Sequence, residues 1–214
     1  FSNVLQAIHK PVTDSGSILI SPNAGTSNFA GKQCHPNFYV TSYQNDQIHE
    51  VLGKYAQDKG FKSVFLMAPN YQAGKDSIAG FKRHFKGEVL DEVYTPLGQL
   101  DFSAEIAKIA AAKPQAFFTF MPGGMGVNLV KQYRQAGLAD RIPVLSAFTV
   151  DESTLPAQQD AAVGIAILPN QPGFLGIAPG DVHDKGRTGQ EASAFIHRQY
   201  LMLAQPLAAR HACH

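Results

Sequence analysis

Residues 44–146 alternate between two patterns of hydrophobic positions. Segments with apolar residues at i, i+3, i+4 and i+7, typical of helices, alternate with short continuous apolar runs, typical of buried strands. The runs begin at residues 63, 88, 116 and 143, and each interval of 25 to 28 residues holds one strand and one crossover helix. The pattern predicts βαβ units, and therefore an α/β fold with a doubly wound parallel sheet.

Four helices are predicted within this segment, at about residues 45–59, 74–86, 102–113 and 123–136. In the first, an apolar stripe predicts the buried side, formed by Ile48, Val51, Leu52, Tyr55 and Ala56. The opposite side carries its polar face, formed by Asp46, Glu50, Lys54 and Asp58. We expect Lys82, Arg83 and Lys86, on the second helix, to form a solvated face rather than a phosphate site.

The domain organisation follows from the same pattern. We predict part of a first lobe over residues 1–41, with a helix at 2–9 and a strand at 17–20, and a complete second lobe over residues 42–160. A strand at 163–168 is predicted to lead back to the incomplete lobe, within a segment 161–214. Residues 170–187 contain several glycines and prolines, which predicts a mobile loop. A helix is predicted at 190–203.

The composition and motifs of the 214 residues argue against nucleic-acid binding, membrane spanning, metal binding and catalysis. Charged residues make up 16% and the formal net charge is +1, so no basic surface for nucleic acid is expected. No apolar run approaches the 18 residues or more of a membrane helix. Cys34 and Cys213 fit no zinc spacing, and we interpret His211, Cys213 and His214 as a solvated tail rather than metal ligands. Dinucleotide, P-loop and hydrolase motifs are missing, so neither a cofactor nor an enzyme activity is predicted.

Polar and aromatic residues follow several of the predicted strands. Hydroxyl-bearing residues 21–27 follow the first, Tyr71 follows the strand at 63–68, Gly123 follows the strand at 116–120, and Phe148 follows the strand at 143–146. Because ligands of open parallel sheets bind beyond the carboxyl ends of the strands, these loops are candidates for holding a carboxylate or an amide between aromatic walls. Ordinary turns and surface aromatics remain the alternative explanation for each loop.

Several motifs, in this order, resemble one family over about residues 1–168. They are Ile20-Ser21-Pro22-Asn23-Ala24, Asn70-Tyr71-Gln72-Ala73-Gly74-Lys75-Asp76, Tyr94-Thr95-Pro96-Leu97-Gly98-Gln99-Leu100-Asp101-Phe102-Ser103, Ala111-Ala112-Lys113-Pro114 and Lys131-Gln132-Tyr133-Arg134-Gln135-Ala136-Gly137-Leu138. The chain is similar in these motifs to type I periplasmic solute-binding proteins of ABC importers, and to their Leu/Ile/Val-binding family. The resemblance implies two lobes joined by a hinge, a small-molecule ligand clamped between them, delivery to an ABC permease in the membrane, and a periplasmic or extracytoplasmic location.

The resemblance also implies ligand-binding positions. The carboxylate-binding serine corresponds to Ser2, beside Asn3, and the residues after the Ile-Ser-Pro strand correspond to Ala24 and Thr26, with Ser27 as a near alternative. The aromatic residue of the complete lobe corresponds to Tyr71. Where the family has a tyrosine this chain has Gly123, and where the family has an acidic residue for the ligand ammonium this chain has Phe148.

A ligand preference follows from these departures. A buried ammonium without an anionic or aromatic partner costs several kcal/mol, so we expect an aromatic or apolar carboxylate, or a related amide, in preference to leucine, isoleucine or valine. A ligand-sensing receptor or regulatory module with the same fold remains the alternative. A nucleotide-dependent enzyme on a doubly wound sheet is disfavoured, because no phosphate loop is present.

Overall fold

The structure, a computed structural model, describes residues 1–151 and 153–168. The expectations for residues 169–214, including the mobile loop, the helix at 190–203 and the terminal histidines, lie outside the described residues. The helices of the described part are α1 (Ser2–Asp14), α2 (Asn45–Asp58), α3 (Gln72–His84), α4 (Ser103–Ala112), α5 (Gly124–Gln135) and α6 (Leu155–Gln158). The strands are β1 (Leu19–Ser21), β2 (Phe38–Val40), β3 (Ser63–Pro69), β4 (Glu88–Thr95), β5 (Ala116–Thr119), β6 (Val144–Ala147) and β7 (Ala166–Leu168).

Five parallel strands form the main sheet, in the order β4-β3-β5-β6-β7. The chain leaves β3 toward β4 and then returns to pair β5 on the other side of β3, which makes the gap between β3 and β5 the topological switch point. The predicted doubly wound α/β fold is therefore confirmed. We refer to this sheet and its helices as the second lobe.

Helices cover both faces of the sheet because side chains alternate along β3. Val64, Leu66 and Ala68 pack under α2 and α3, whereas Phe65 and Met67 pack under α4 and α5. All five of these side chains are buried. A strand that is apolar on both faces requires two layers of helices, as the uninterrupted apolar run predicted.

The first-lobe segment consists of α1, β1, a 3₁₀ turn at Ser27–Ala30 and β2. Its two strands pair in parallel as a separate sheet. The first helix is longer than the predicted residues 2–9, because Pro11 lies inside it and does not end it. No helix in the described ranges is long and apolar enough to cross a membrane.

Strand β7 requires a correction to the predicted boundary. Residues from 161 onward were expected to return toward the first lobe, but Ala166–Leu168 pairs in parallel with β6. The pairing occupies the free edge of β6, so β7 extends the sheet of the second lobe instead.

The predicted polar face of α2 is also partly wrong. Asp46 and Glu50 are buried, with 0% and 4% of their surface exposed. Arg83 of α3 forms ion pairs with both: its Nη1 lies 2.6 Å from Asp46 Oδ2, and a second contact joins it to Glu50. Partnership with these acids raises the pKa of Arg83 despite the opposing effect of its partial burial. Arg83 thus closes the α2–α3 interface and is not part of a purely solvated face.

Two glycines allow α2 and α3 to approach with their backbones in contact. A Cβ built on Gly80 of α3 would lie 2.2 Å from the carbonyl oxygen of Asp46, and one on Gly53 of α2 would lie 2.0 Å from that of Phe81. Real side chains do not tolerate these separations, so either substitution would push the helices apart.

We therefore expect Gly80→Ala to destabilise the chain by about 1–3 kcal/mol, even though alanine is normally favoured over glycine inside a helix. Gly124→Ala is the matched control, because a Cβ at this helical glycine meets no atom within 4 Å. Urea unfolding of the two variants measures the difference. Equal stability of both variants would contradict the close approach.

Candidate ligand-binding site

A cavity of about 240 Å³ lies at the carboxyl ends of the strands, where the first-lobe segment meets the second lobe. The loops after β3 and β5 contribute to it, so it lies at the switch point of the sheet. Twelve residues line it: Phe1, Ser2, Asn23, Ala24, Tyr43, Asn45, His49, Tyr71, Ala73, Phe120, Pro122 and Phe148. None of them has an acidic side chain, or the side chain of lysine or arginine.

Aromatic rings in mutual contact form most of the wall. Tyr71 contacts Phe1 at a centroid distance of 5.9 Å and Phe120 at 6.3 Å. Phe148 contacts Phe120 at 5.9 Å and Tyr43 at 5.3 Å. Burial raises the pKa of Tyr43 to about 12 and, together with the nearby Tyr43, raises the pKa of Tyr71, so both rings stay neutral at ordinary pH. The wall can stack against a flat apolar ligand.

Ser2 supplies a hydrogen-bond donor at one end of the cavity. Its side chain is buried, and its Oγ accepts a hydrogen bond of 3.0 Å from Asn45 Nδ2. The serine O–H is left to donate to a ligand. Ser2 is also the first residue of α1, where backbone N–H groups have no acceptor within the helix and the helix dipole favours an anion.

A buried polar network holds this end of the cavity in place. Asp76 of α3 accepts hydrogen bonds from the backbone N–H and the Oγ of Ser27, at 3.1 and 2.6 Å, and from Gln72 Nε2 at 2.8 Å. Asn45 Nδ2 donates to Asp76 Oδ2 at 3.1 Å, and Asn45 Oδ1 accepts from the Gly25 amide at 3.2 Å. The network joins both lobes, because Ser27 and Gly25 belong to the first-lobe segment.

His49 is the most deeply buried polar residue of the wall. It is 1% exposed, its Nδ1 has no hydrogen-bond partner, and its ring contacts Phe118, Phe120 and Phe148 at 5.7, 5.2 and 6.2 Å. Desolvation by this burial lowers its pKa to about 3, so the imidazole is neutral at physiological pH.

Four of the eight residues predicted from the sequence come together around the cavity: Ser2, Ala24, Tyr71 and Phe148. Phe148 does so in a left-handed backbone conformation, with φ of 61°, which is a strained position for a phenylalanine and typical of functional loops. That these residues contact a ligand stays a prediction.

The other four predicted residues do not line this cavity. Asn3 lies on the exposed face of α1, one position beyond Ser2. The Ser27 hydroxyl donates its hydrogen bond to Asp76. Thr26 lines a separate cavity of about 170 Å³ beside Phe29 and Phe38. After β5 the lining residues are Phe120 and Pro122, whereas Gly123 begins the turn into α5 with a φ of 64°.

Sequence reasoning missed the lining residues Phe1, Tyr43, Asn45, His49 and Phe120, whereas Asn23 lies in the candidate loop at residues 21–27. Asn45 and His49 lie in the first two turns of α2, and neither belongs to the apolar stripe or to the polar face that its helical periodicity predicts. Their spacing of four residues places both on one side of the helix, and this spacing was the available signal. No cluster of histidine, cysteine or acidic side chains suited to a metal ion occurs in the described part of the chain.

Comparison with known proteins identifies the class. Residues 1–173 match the family model described as periplasmic binding protein, and the chain belongs to this family. Its relatives are solute-binding proteins rather than enzymes, in agreement with the sequence prediction.

Particular relatives fall into two groups. Leu/Ile/Val-binding protein homolog 6 of Brucella melitensis biotype 1 is 31% identical over 162 residues, which cover 72% of this chain and 41% of that protein. A solute-binding protein of an R. palustris ABC transporter, solved in complex with benzoate, is 27% identical with a TM-score of 0.74, over 93% of this chain and 53% of that one. A second R. palustris protein, solved with 4-hydroxybenzoate, is 29% identical with a TM-score of 0.72, over 77% and 46% of the two chains. This chain therefore spans about half the length of these relatives or less.

The buried network gives a prediction of its own. Asp76→Asn replaces an acceptor oxygen by an amide donor, which opposes the donors that now converge on the carboxylate, and we expect a loss of about 2 kcal/mol in the free energy of unfolding.

Asp14→Asn is the matched control. Asp14 forms an exposed ion pair with Lys10 at 2.6 Å, one helical turn away, and its loss should cost less than about 0.5 kcal/mol. Thermal unfolding of both variants measures the contrast, and equal melting temperatures would show that the network does not stabilise the junction of the lobes.

Proposed function

We propose that this chain is the ligand-binding part of an extracytoplasmic solute-binding protein of an ABC importer, and that its ligand is a small aromatic carboxylate. The observation that carries the proposal is the cavity wall: aromatic rings in mutual contact, with no acidic side chain among the lining residues. Family membership supports the transport role, delivery to a membrane permease and the extracytoplasmic location.

The lining chemistry favours an aromatic acid over an amino acid. The ammonium of leucine would enter a wall that has no carboxylate to pair with it. Contact with the aromatic rings, worth about 0.5–2 kcal/mol, offsets only part of the several kcal/mol that burying such a charge costs. The carboxylate of either ligand has the Ser2 hydroxyl and the start of α1 as partners. Only the aromatic acid satisfies both ends of the cavity.

The size of the cavity agrees with a ligand of this kind. Its volume of about 240 Å³ is below the ~300–1,000 Å³ of pockets for drug-sized molecules, so one substituted ring suits it better than a peptide or a nucleotide. The two R. palustris relatives were solved with benzoate and with 4-hydroxybenzoate, which supports the same chemical class.

Calorimetric titration of the 214-residue chain with benzoate, 4-hydroxybenzoate, leucine and isoleucine tests this proposal. We expect the aromatic acids to bind and the amino acids to bind at least tenfold more weakly. Tight binding of leucine or isoleucine without binding of either aromatic acid would contradict it.

Two serines at opposite ends of α1 provide matched variants. Ser2→Ala removes the donor for the ligand carboxylate and should weaken binding of the aromatic acid by roughly tenfold or more, the value of a hydrogen bond to a charged group. Ser15→Ala is the control, because the Ser15 Oγ is exposed and donates to the Val12 carbonyl. An equal affinity of both variants would show that the carboxylate is bound elsewhere.

A further inference from the structure

We propose that His49 hydrogen-bonds a hydroxyl group on the ring of the bound ligand, and that the site is thereby selective for hydroxylated aromatic carboxylates. This inference rests on the proposed function, since it assigns a specificity to the same cavity. It is carried by a buried histidine in the wall whose Nδ1 has no hydrogen-bond partner.

The unused capacity is unusual for a residue in this position. His49 is 1% exposed and surrounded by Phe118, Phe120 and Phe148, while its Nδ1 has no hydrogen-bond partner. Buried polar atoms are nearly always hydrogen-bonded, and an unsatisfied one costs about 1–3 kcal/mol. Because the imidazole also lines the cavity, a polar group of the ligand can supply the missing partner.

The charge state of the imidazole indicates which polar group this is. Burial lowers the pKa of His49 to about 3, so the ring is neutral and presents one N–H donor and one acceptor nitrogen. A second carboxylate would find no cation there, and an ammonium would find no anion. A hydroxyl both donates and accepts, and therefore pairs with either tautomer of the ring.

The spacing of Asn45 and His49 on α2 is comparable with the length of such a ligand. Asn45 hydrogen-bonds Ser2 at 3.0 Å, and His49 follows Asn45 by four residues on the same side of α2. One helical turn separates Asn45 from His49 by about 6 Å along the axis. Two para substituents on a benzene ring lie about as far apart, so a carboxylate held at the Ser2–Asn45 end leaves the opposite substituent within the range of His49.

Titration with 4-hydroxybenzoate, benzoate and 4-methylbenzoate tests the inference. The methyl group fills the same space as the hydroxyl but forms no hydrogen bond, and we expect 4-hydroxybenzoate to bind roughly tenfold more tightly than 4-methylbenzoate. In His49→Phe, which keeps an aromatic ring against its three neighbours, the preference for 4-hydroxybenzoate over 4-methylbenzoate should disappear. His84→Phe, a change at an exposed histidine of α3, should leave the preference intact.

A measurement on the unmodified chain keeps the inference testable if His49→Phe does not fold. The ¹⁵N resonances of the His49 imidazole should shift on addition of 4-hydroxybenzoate and respond much less to 4-methylbenzoate. Equal affinity of the unmodified chain for the two ligands, or a preference that persists in His49→Phe, would overturn the role of His49 and leave the proposed function standing. Failure to bind any of the three acids would overturn the proposed function and this inference with it.

Discussion

The carboxylate of Asp76 is the constraint on which the arrangement of the site depends. It is 3% exposed, and the donors that the described part of the chain directs at it are neutral groups. Hydrogen bonds must therefore replace the water that the charge has lost, and they come from Ser27, Gln72 and Asn45. These donors belong to both lobes, so satisfying one buried charge also fixes the relative position of the two walls of the cavity.

Asn45 connects Asp76 to Ser2, at one end of the cavity. Its amide donates both to Asp76 and to Ser2, while its carbonyl oxygen accepts from the Gly25 amide. Ser2 is thereby fixed as an acceptor toward Asn45 and as a donor toward the cavity. The opposite wall needs no such network, because the rings of Tyr71, Phe120 and Phe148 are held by contact with one another. One polar end and one aromatic body are what an aromatic carboxylate requires.

The sequence pattern predicts the buried strands and the loops that follow them. It does not predict which polar side chains are buried or which strands pair. The strand after residue 63 is apolar on both faces, so its burial and the loop that carries Tyr71 followed directly from its pattern. The burial of Asp46, Glu50 and His49 was not predicted, because helical periodicity separates polar from apolar residues but does not show that a polar side chain is buried against a neighbouring helix or sheet. Likewise, β7 was assigned to the wrong lobe, since a short apolar run does not show which sheet edge it pairs with.

A crystal structure of the chain with 4-hydroxybenzoate tests the proposed site directly. We expect the ring against Tyr71, Phe120 and Phe148, with a carboxylate oxygen at hydrogen-bond distance, about 2.5–3.0 Å, from Ser2 Oγ. A ligand in the separate cavity beside Thr26 and Phe29, or one with its carboxylate directed toward Phe148, would show that the site is wrongly assigned.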